Sequence, residues 1–328
     1  MGQAMEAAAT ARRRVAPRPW VGAVVVPAGV PDHPGFIGAT DGRTGPHAEI
    51  VALRAAGDAA VGSTLHVTLE PCSHHGLTPP CADAVIAAGV ARVVVGVSDP
   101  DPAVAGAGIE RLRAAGVEVV VGVAADAVAA QLAPYLHHRR TGRPYVVLKV
   151  AATLDGRTAA PDGTSQWITG PEARLDVHRL RADSDAIAVG AGTVRADDPA
   201  LTVRLPEGER GPDDTEPLRV VLGAAPAGAA VHPCLELSGD PAAVLDELGA
   251  RGVLQLLVEG GAGVAGTLHR AGLVDRYVVY LAPALFGGDD GAPMFAGPGS
   301  GSIDGLRRLR IVEMRRVGDD LRLDLEGI

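Results

Sequence analysis

Residues 46–81 constrain this chain more than any other stretch, because they bring together side chains that bind a borderline-soft divalent metal. The stretch contains His47 and Glu49 near its start, and Cys72 and Cys81 further on. One imidazole and two thiolates supply three of the four ligands of a tetrahedral zinc ion, and a catalytic zinc site leaves the fourth position to water. We therefore predict a zinc site at His47, Cys72 and Cys81, with Glu49 as its catalytic proton carrier.

The residues around these ligands favour helices. The apolar spacing after Pro46 predicts a helix with His47 in its first turn. The sequence Thr78-Pro79-Pro80-Cys81 predicts a second helix over 82–88, whose N-terminus favours the thiolate form of Cys81. Zinc deaminases of bases combine such a metal with a glutamate that is not a ligand. The alternative is a closed structural site with His74 or His75 as fourth ligand, which leaves Glu49 without a role.

Length and composition limit the number of domains, the class of substrate and the cellular location that we expect. A length of 328 residues predicts two domains. The net charge of -9 argues against binding of a nucleic-acid backbone, and therefore against a nucleic-acid deaminase. Of the three cysteines only Cys234 lies outside the zinc motif, so no disulfide framework is expected. The sequence lacks an apolar stretch of membrane-spanning length and an apolar signal-peptide core, so we expect a cytoplasmic protein.

Strand-like apolar runs alternate with helical patterns along the whole chain, which predicts layered α/β domains. The predicted strands are 21–26, 36–39, 64–69, 91–97, 117–123, 145–150, 186–189, 218–222, 254–258, 276–282, 309–314 and 320–325. The predicted helices are 1–14, the one after Pro46, 82–88, 108–115, 125–136, 171–182 and 264–271. A polar segment with Gly and Pro at 137–144 predicts the boundary between domains 1–143 and 144–328.

The second half carries its own candidate site. Glu259-Gly260-Gly261-Ala262-Gly263 lies between a predicted strand and a predicted helix, as a phosphate-binding turn does, although a tight packing turn is the alternative. Arg181 and Arg204 are candidate phosphate ligands. Only one of the 30 basic residues is a lysine, Lys149, which suggests that its compact ammonium is needed. Four polar or aromatic residues after the strand at 145–150 are further candidates: Thr153, Asp155, Ser165 and Trp167.

Several motifs together resemble the bifunctional riboflavin-biosynthesis deaminase/reductase family. They are His47-Ala48-Glu49, Pro71-Cys72-Ser73-His74-His75-Gly76, Thr78-Pro79-Pro80-Cys81, Leu154-Asp155-Gly156-Arg157-Thr158, Ser165-Gln166-Trp167-Ile168-Thr169 and Ala196-Asp197-Asp198-Pro199-Ala200-Leu201-Thr202. The eight residues between Cys72 and Cys81 separate this family from cytidine and adenosine deaminases, whose cysteines are two residues apart.

The resemblance implies a cytidine-deaminase-like α/β/α domain followed by a dihydrofolate-reductase-like α/β domain. It implies zinc-dependent deamination of a diaminopyrimidinone that carries a phosphoribosylamino group, then NADPH-dependent reduction of the ribosyl group to ribityl. It assigns NADPH contacts to Ala151, Trp167, Thr193, Asp197, Gly260, Gly261 and Gly263. It assigns substrate contacts to Ser165, Arg181, Leu201, Arg204 and Glu259. Lys149 or Asp155 would assist proton transfer, and a homodimer or higher homo-oligomer is expected.

Three positions in the first half depart from the family pattern. Arg18 replaces an amide that would bind the pyrimidine, Ala39-Thr40 replaces a Tyr-His pair, and Leu77 replaces a basic residue. These departures leave two alternatives open besides the usual deaminase. The first domain could act on another aminopyrimidine, or serve a working reductase as a zinc-stabilised interaction module.

Overall fold

The computed structural model describes residues 1–30, 33–74, 79–102 and 104–328. They form two compact units, Met1–Gly142 and Arg143–Ile328, each with its own central sheet. The predicted boundary lay between residues 143 and 144. In both units strands alternate with helices along the chain.

The first unit has a five-stranded sheet in the order β2-β1-β3-β4-β5. Its strands are β1 (Gly22–Val26), β2 (Phe36–Ala39), β3 (Thr64–Leu69), β4 (Arg92–Val97) and β5 (Glu118–Val121). Its helices are α1 (Gly2–Ala11), α2 (Ala48–Ala56), α3 (Cys81–Ala87), α4 (Ala107–Ala114), α5 (Ala125–Gln131) and α6 (Ala133–Thr141). Strand β1 is antiparallel to both neighbours, whereas β3, β4 and β5 are parallel. The carboxyl ends of β3 and β4 therefore lie side by side.

The second unit has an eight-stranded sheet in the order β10-β9-β8-β11-β6-β12-β15-β14, of which the first six strands are parallel. Its strands are β6 (Tyr145–Thr153), β7 (Arg157–Ala159), β8 (Ala186–Gly190), β9 (Leu218–Leu222), β10 (Leu235–Leu237), β11 (Gln255–Val258), β12 (Arg276–Ala282), β13 (Ala292–Pro293), β14 (Leu309–Val317) and β15 (Asp320–Gly327). Its helices are α7 (Pro171–Ala182), α8 (Ala191–Asp197), α9 (Pro241–Ala250) and α10 (Ala262–Arg270). Strands β7 and β13 form a separate two-stranded sheet.

The central strands of the large sheet are buried on both faces. Consecutive residues of β11 pack into different cores, since Leu256 belongs to one buried cluster and Leu257 to the other. Successive side chains of a strand point to opposite faces, so both faces must be covered. This arrangement explains why the central strands are continuous apolar runs rather than alternating ones.

The structure corrects the prediction in three places. The predicted helix over 125–136 is two helices, α5 and α6. The polar segment predicted as a linker is helical up to Thr141, with cationic side chains in the last turn, where the helix dipole favours them, and with Gly142 in the left-handed conformation that ends the helix. Strands β7, β10 and β13 and helices α8 and α9 were not predicted; α8 ends at Asp197, in a segment predicted as a loop. Within the described residues no helix is both long enough and apolar enough to cross a membrane.

Candidate active sites

Three separate elements position the predicted zinc ligands. His47 is the residue that precedes the first turn of α2, and Cys81 is the first residue of α3. Cys72 follows the end of β3 by way of Glu70 and Pro71. The backbone N–H of Cys81 donates to the Sγ of Cys72 (3.3 Å), so the start of α3 fixes the loop after β3.

The ligand atoms are spaced as a zinc ion requires. The Nδ1 of His47 lies 3.2 Å from the Sγ of Cys81 and 3.7 Å from the Sγ of Cys72. A tetrahedral ion with Zn–N of about 2.0–2.1 Å and Zn–S of about 2.3 Å separates a nitrogen from a sulfur ligand by about 3.6 Å. The donor set therefore fits zinc. Within the described residues the cluster consists of these three ligands; His74 lies outside it, and His75 is not among the described residues.

Burial and mutual contact set the protonation of the cluster. Burial raises the pKa of Glu49, which is 3% exposed. A hydrogen bond with Cys81 lowers the pKa of the Cys72 thiol to about 4, and the same bond raises the pKa of Cys81. Zinc binds thiolates, so binding of a divalent ion at these residues is coupled to the loss of their thiol protons.

A cavity of about 260 Å³ opens onto this cluster. His47, Glu49 and Cys72 line it, together with Arg18 and Thr40. The Nη1 of Arg18 donates to the carbonyls of Gly42 (3.1 Å) and Gly45 (3.0 Å), which fixes the guanidinium in the wall. Burial lowers the pKa of Arg18, while the thiols of Cys81 and Cys72 and the carboxyl of Glu49 oppose that shift.

Of the two other departures from the family pattern, the structure describes Thr40 but not Leu77. Thr40 accepts a hydrogen bond from the N–H of Val21 (3.1 Å) and donates to the carbonyl of Pro19 (3.2 Å), so it holds the strand ends together. Leu77 and Thr78 lie outside the described residues.

Glu70 is a supporting residue that the sequence did not single out. Its buried carboxylate accepts hydrogen bonds from the N–H groups of Asp99, Gly106, Gly108 and Ile109, at 3.0–3.3 Å. It thereby satisfies the N-terminus of α4 and joins the ends of β3 and β4. Because Glu70 stands two residues before Cys72, it also anchors the loop that carries this ligand.

A second, larger cavity of about 1150 Å³ lies at the carboxyl ends of the parallel strands in the second unit. This is where open α/β sheets bind ligands. Strands β6, β8 and β11 end there and continue into the loops that bring the predicted residues together. Those in its lining are Lys149, Ala151, Ser165, Trp167, Arg181, Thr193, Asp197, Leu201, Arg204, Glu259, Gly260, Gly261 and Gly263.

Glu259 forms the charged centre of this cavity. The Nε and Nη2 atoms of Arg181 donate to its two carboxylate oxygens (2.5 and 3.0 Å), and the Nζ of Lys149 lies 3.6 Å away. Burial alone would raise the pKa of Glu259, but the charges of Lys149 and Arg181 outweigh it and lower the pKa. The edge of Arg181 that would bind a phosphate is thus occupied by Glu259.

The glycine-rich turn has the geometry of an anion cradle. Helix α10 begins at Ala262, and the N–H of Gly261 donates to the Oγ1 of Thr193 (3.2 Å). A Cβ on Gly263 would meet no atom within 4 Å, so packing does not require glycine there and the space lies open to the cavity. A dinucleotide phosphate fits this helix N-terminus. Beside the cradle, Trp167 is 68% exposed, and its ring lies 4.6 Å from the guanidinium carbon of Arg174.

Two of the predicted residues lie elsewhere. Asp155 accepts hydrogen bonds from Thr153 (2.5 Å) and from the N–H of Gly287 (2.8 Å), and neither Asp155 nor Thr153 is in the described lining of the cavity. The pair holds the turn after β6.

His178 is in the cavity lining although the sequence argument omitted it. Its Nδ1 accepts a hydrogen bond from the N–H of Arg204 (3.2 Å). Burial lowers the pKa of His178, and the nearby charges of Arg181 and Arg204 act in the same direction. Its position three residues before Arg181 on a helix was the available clue, because residues three apart share a face.

Two family models match the chain. The cytidine and deoxycytidylate deaminase zinc-binding region matches residues 1–97, and the RibD C-terminal domain matches residues 144–323. Riboflavin biosynthesis protein RibD of Mycobacterium tuberculosis (strain ATCC 25618 / H37Rv) is 45% identical over 338 residues, which cover 99% of this chain and 96% of that protein. RibD of Escherichia coli (strain K12) is 40% identical over 365 residues, covering 100% and 98%.

Solved structures agree with the whole architecture. Acinetobacter baumannii RibD, form 1, superposes with a TM-score of 0.92 at 36% identity, covering 100% of this chain and 97% of that one. A diaminohydroxyphosphoribosylaminopyrimidine deaminase/5-amino-6-(5-phosphoribosylamino)uracil reductase from Thermotoga maritima gives a TM-score of 0.88 at 33% identity with the same coverage. These matches confirm the predicted family, the fold class and the two cofactors, zinc and NADPH. The chain belongs to the RibD family and is a riboflavin-biosynthesis deaminase/reductase.

Proposed function

We propose that the first unit deaminates the 2-amino group of a 2,5-diamino-6-(phosphoribosylamino)pyrimidin-4-one, and that the second reduces the ribosyl chain of the product with NADPH. The observation that carries this proposal is that Glu49 lines the same cavity as His47 and Cys72, two members of the cluster that Cys81 completes. The name of the Thermotoga maritima protein describes the same pair of reactions. We assign residues 1–143 to the deaminase domain and 144–328 to the reductase domain.

In the deaminase site His47, Cys72 and Cys81 would hold zinc, which when bound would supply a water molecule acidic enough to act as nucleophile near neutral pH. Glu49 would take a proton from the attacking water and deliver it to the departing amine, the role of a general base and then a general acid. Its burial beside the cluster excludes bulk water from the transfer. Arg18 donates to an acceptor atom of the pyrimidinone, since two main-chain carbonyls already hold one edge of its guanidinium in the cavity wall.

In the reductase site NADPH supplies the hydride. Gly260, Gly261 and Gly263 give its phosphates close access to the N-terminus of α10. The other residues assigned to cofactor binding are Ala151, Trp167, Thr193 and Asp197.

The pyrimidine occupies the part of the cavity nearer the charged residues. Arg204 binds its phosphate, and His178 holds the main chain of Arg204 in place. Glu259 and Arg181 form a fixed ion pair that contacts the sugar, with Ser165 and Leu201 beside them. The Leu201 side chain is buried, so Leu201 contacts the substrate through its main chain. Lys149, in contact with Glu259, delivers the proton that accompanies hydride transfer.

We further propose a cytoplasmic homodimer. Two of the three thiols serve as metal ligands, which requires the reduced state of the cytoplasm. Support for self-association comes from β14, the edge strand of the large sheet, where Ile311, Val312 and Met314 expose apolar side chains to solvent.

The proposal is tested by incubating the purified chain with the diaminopyrimidine phosphoribosylamine and identifying the products by mass. Without NADPH we expect ammonia and a product in which one amino group is replaced by oxygen. With NADPH we expect that product to gain two hydrogens. Reduction of an externally supplied deaminated substrate without any ammonia release from the diamine would instead identify the first unit as a non-catalytic zinc module.

A further inference from the structure

A second group of metal-binding side chains lies in the other unit, near the edge of its sheet. It consists of His232, Cys234 and Glu236, whose ligand atoms all lie within 4.8 Å of one another. Glu236 lies in β10, and His232 and Cys234 lie in the segment that leads into this strand. None of the three lines the reductase cavity in the described part of the chain.

The His–Cys distance in this group matches those in the deaminase cluster. The Nδ1 of His232 lies 3.5 Å from the Sγ of Cys234. The corresponding distances in the deaminase cluster are 3.2 and 3.7 Å. All three are close to the value of about 3.6 Å that two ligands of one tetrahedral zinc ion show.

The contacts of His232 leave its Nδ1 available as a metal ligand. Its Nε2 lies 2.9 Å from the carbonyl oxygen of Pro226. A carbonyl oxygen only accepts hydrogen bonds, so Nε2 carries the proton and Nδ1 presents its lone pair towards Cys234. Metal-binding histidines donate their other ring N–H to a carbonyl or carboxylate in this way, which fixes the tautomer and the ring orientation.

Glu236 is held by the same loop. Its Oε1 accepts a hydrogen bond from the N–H of Ala225 (3.0 Å), so one carboxylate oxygen orients the group and the other stays available to an ion. The Nη1 of Arg219 lies 3.4 and 3.3 Å from the carbonyl oxygens of Val231 and His232. This contact fixes the main chain that carries His232. It uses main-chain carbonyl oxygens, so it does not occupy the side-chain atoms proposed as metal ligands.

We propose that His232, Cys234 and Glu236 bind a second zinc ion, separate from both reaction sites. One imidazole, one thiolate and one carboxylate form a donor set that zinc accepts, and the two anionic ligands balance its charge. Strand β10 is short and pairs with β9 alone. An ion bound there would brace the edge of the sheet and the 223–234 connection that precedes it.

The test is a zinc count on the full chain. The protein is stripped with a chelator, dialysed against micromolar ZnCl₂ and analysed for bound metal. We expect two zinc ions per chain in the wild type and one in the double variant His232→Ala/Cys234→Ser, with ammonia release unchanged. The matched control is His269→Ala, which removes another imidazole of the second unit whose ring contacts Tyr277, and which should keep both ions.

A cadmium measurement provides an independent readout. Each cadmium–thiolate bond adds ultraviolet absorption, and three thiolates contribute if both sites fill. The double variant should lose about a third of this absorption, because one of the three thiolates is removed. A wild type that saturates at one zinc ion, or a double variant that still binds two, overturns the second site. Loss of ammonia release and of one ion in Cys72→Ser reports on the deaminase site alone, so the two assignments fail separately.

Discussion

At the scale of single residues, the carboxyl group of Glu49 is buried beside the zinc-ligand cluster. Its role in the proposed deamination is to transfer a proton. Replacement of Glu49 by Gln keeps the size and polarity of the side chain and removes this capacity. We expect Glu49→Gln to retain its zinc while ammonia release falls by at least about 100-fold, the usual contribution of a general acid–base group.

The measurement pairs metal analysis with an ammonia assay on the same preparation. Glu110→Gln is a suitable control, because it makes the same change on the exposed side of α4. An active Glu49→Gln protein would sink the catalytic assignment. A protein that lost zinc would show instead that Glu49 supports the metal site.

His178 is a positioning residue that acts through Arg204. It accepts the main-chain N–H of Arg204, so His178→Phe leaves that N–H without its acceptor and frees Arg204 to move. A hydrogen bond of this kind contributes about 1–1.5 kcal/mol, so we expect the reductase KM for the deaminated pyrimidine to rise about tenfold while kcat changes little. His178→Asn, which keeps an acceptor near the Nδ1 position, should restore the KM. Equal values for the Phe and Asn variants would show that only ring volume matters.

At the scale of elements, Glu70 connects β3, β4 and the N-terminus of α4 through four main-chain hydrogen bonds. Glu70→Ala leaves these buried N–H groups without partners. We expect the free energy of unfolding to fall by about 3 kcal/mol or more, because hydrogen bonds to a charged group contribute about 1.5–3 kcal/mol each. Zinc affinity should fall with it, since the same loop carries Cys72. Denaturant unfolding and zinc titration measure the two effects, and a stable variant with normal zinc binding contradicts this role.

Asp176 connects α7 to the strands at the other end of the large sheet. It accepts hydrogen bonds from Tyr280 (2.6 Å), Arg322 (2.7 Å) and Arg315 (2.8 Å). Burial acts to raise the pKa of Asp176, but these bonds outweigh it and lower the pKa below the ordinary value. A carboxyl with a lowered folded-state pKa stabilises the protein fully above its unfolded pKa, and this contribution disappears as the pH falls through the folded-state pKa.

We therefore expect Asp176→Asn to lose about 3–5 kcal/mol of unfolding free energy at pH 7, as when one partner of a buried pair is removed. Its stability should depend less on pH than that of the wild type below about pH 4. Urea unfolding between pH 3 and 7 measures both effects. Asp246→Asn is the control, because the ion pair of Asp246 with Arg143 is exposed and contributes little. Parallel pH profiles for wild type and Asp176→Asn would contradict the argument.

At the scale of the whole molecule, the two candidate sites lie in different compact units, and their linings have no residue in common within the described part of the chain. A substitution in one site should therefore leave the rate of the other site's reaction unchanged. We expect Glu49→Gln to oxidise NADPH at the wild-type rate when given the deaminated pyrimidine, and Glu259→Gln to release ammonia at the wild-type rate. Separate ammonia and NADPH assays measure this, and a loss of more than a few-fold in the distant reaction would show that the chemistries are coupled.

The sequence by itself determined the features that depend on residue type and short spacing. The zinc ligands stand out because few residues bind zinc, and the alternating apolar patterns indicate α/β architecture because strands and helices have different periods. Motif spacing was also sufficient for the family resemblance, the fold class and the two cofactors. The prediction failed where local composition was misleading, as in the last turn of α6, because helix-ending residues and basic residues also suggest a linker.

Only the tertiary structure decided how distant residues meet. No local pattern indicates that Glu70 satisfies the start of α4, that Glu259 occupies the binding edge of Arg181, or that His178 holds Arg204. The physical reason is that these contacts depend on strand order and on how each helix is rotated against the sheet. Packing of the entire chain sets both, whereas zinc-ligand identity and apolar periodicity are properties of short segments.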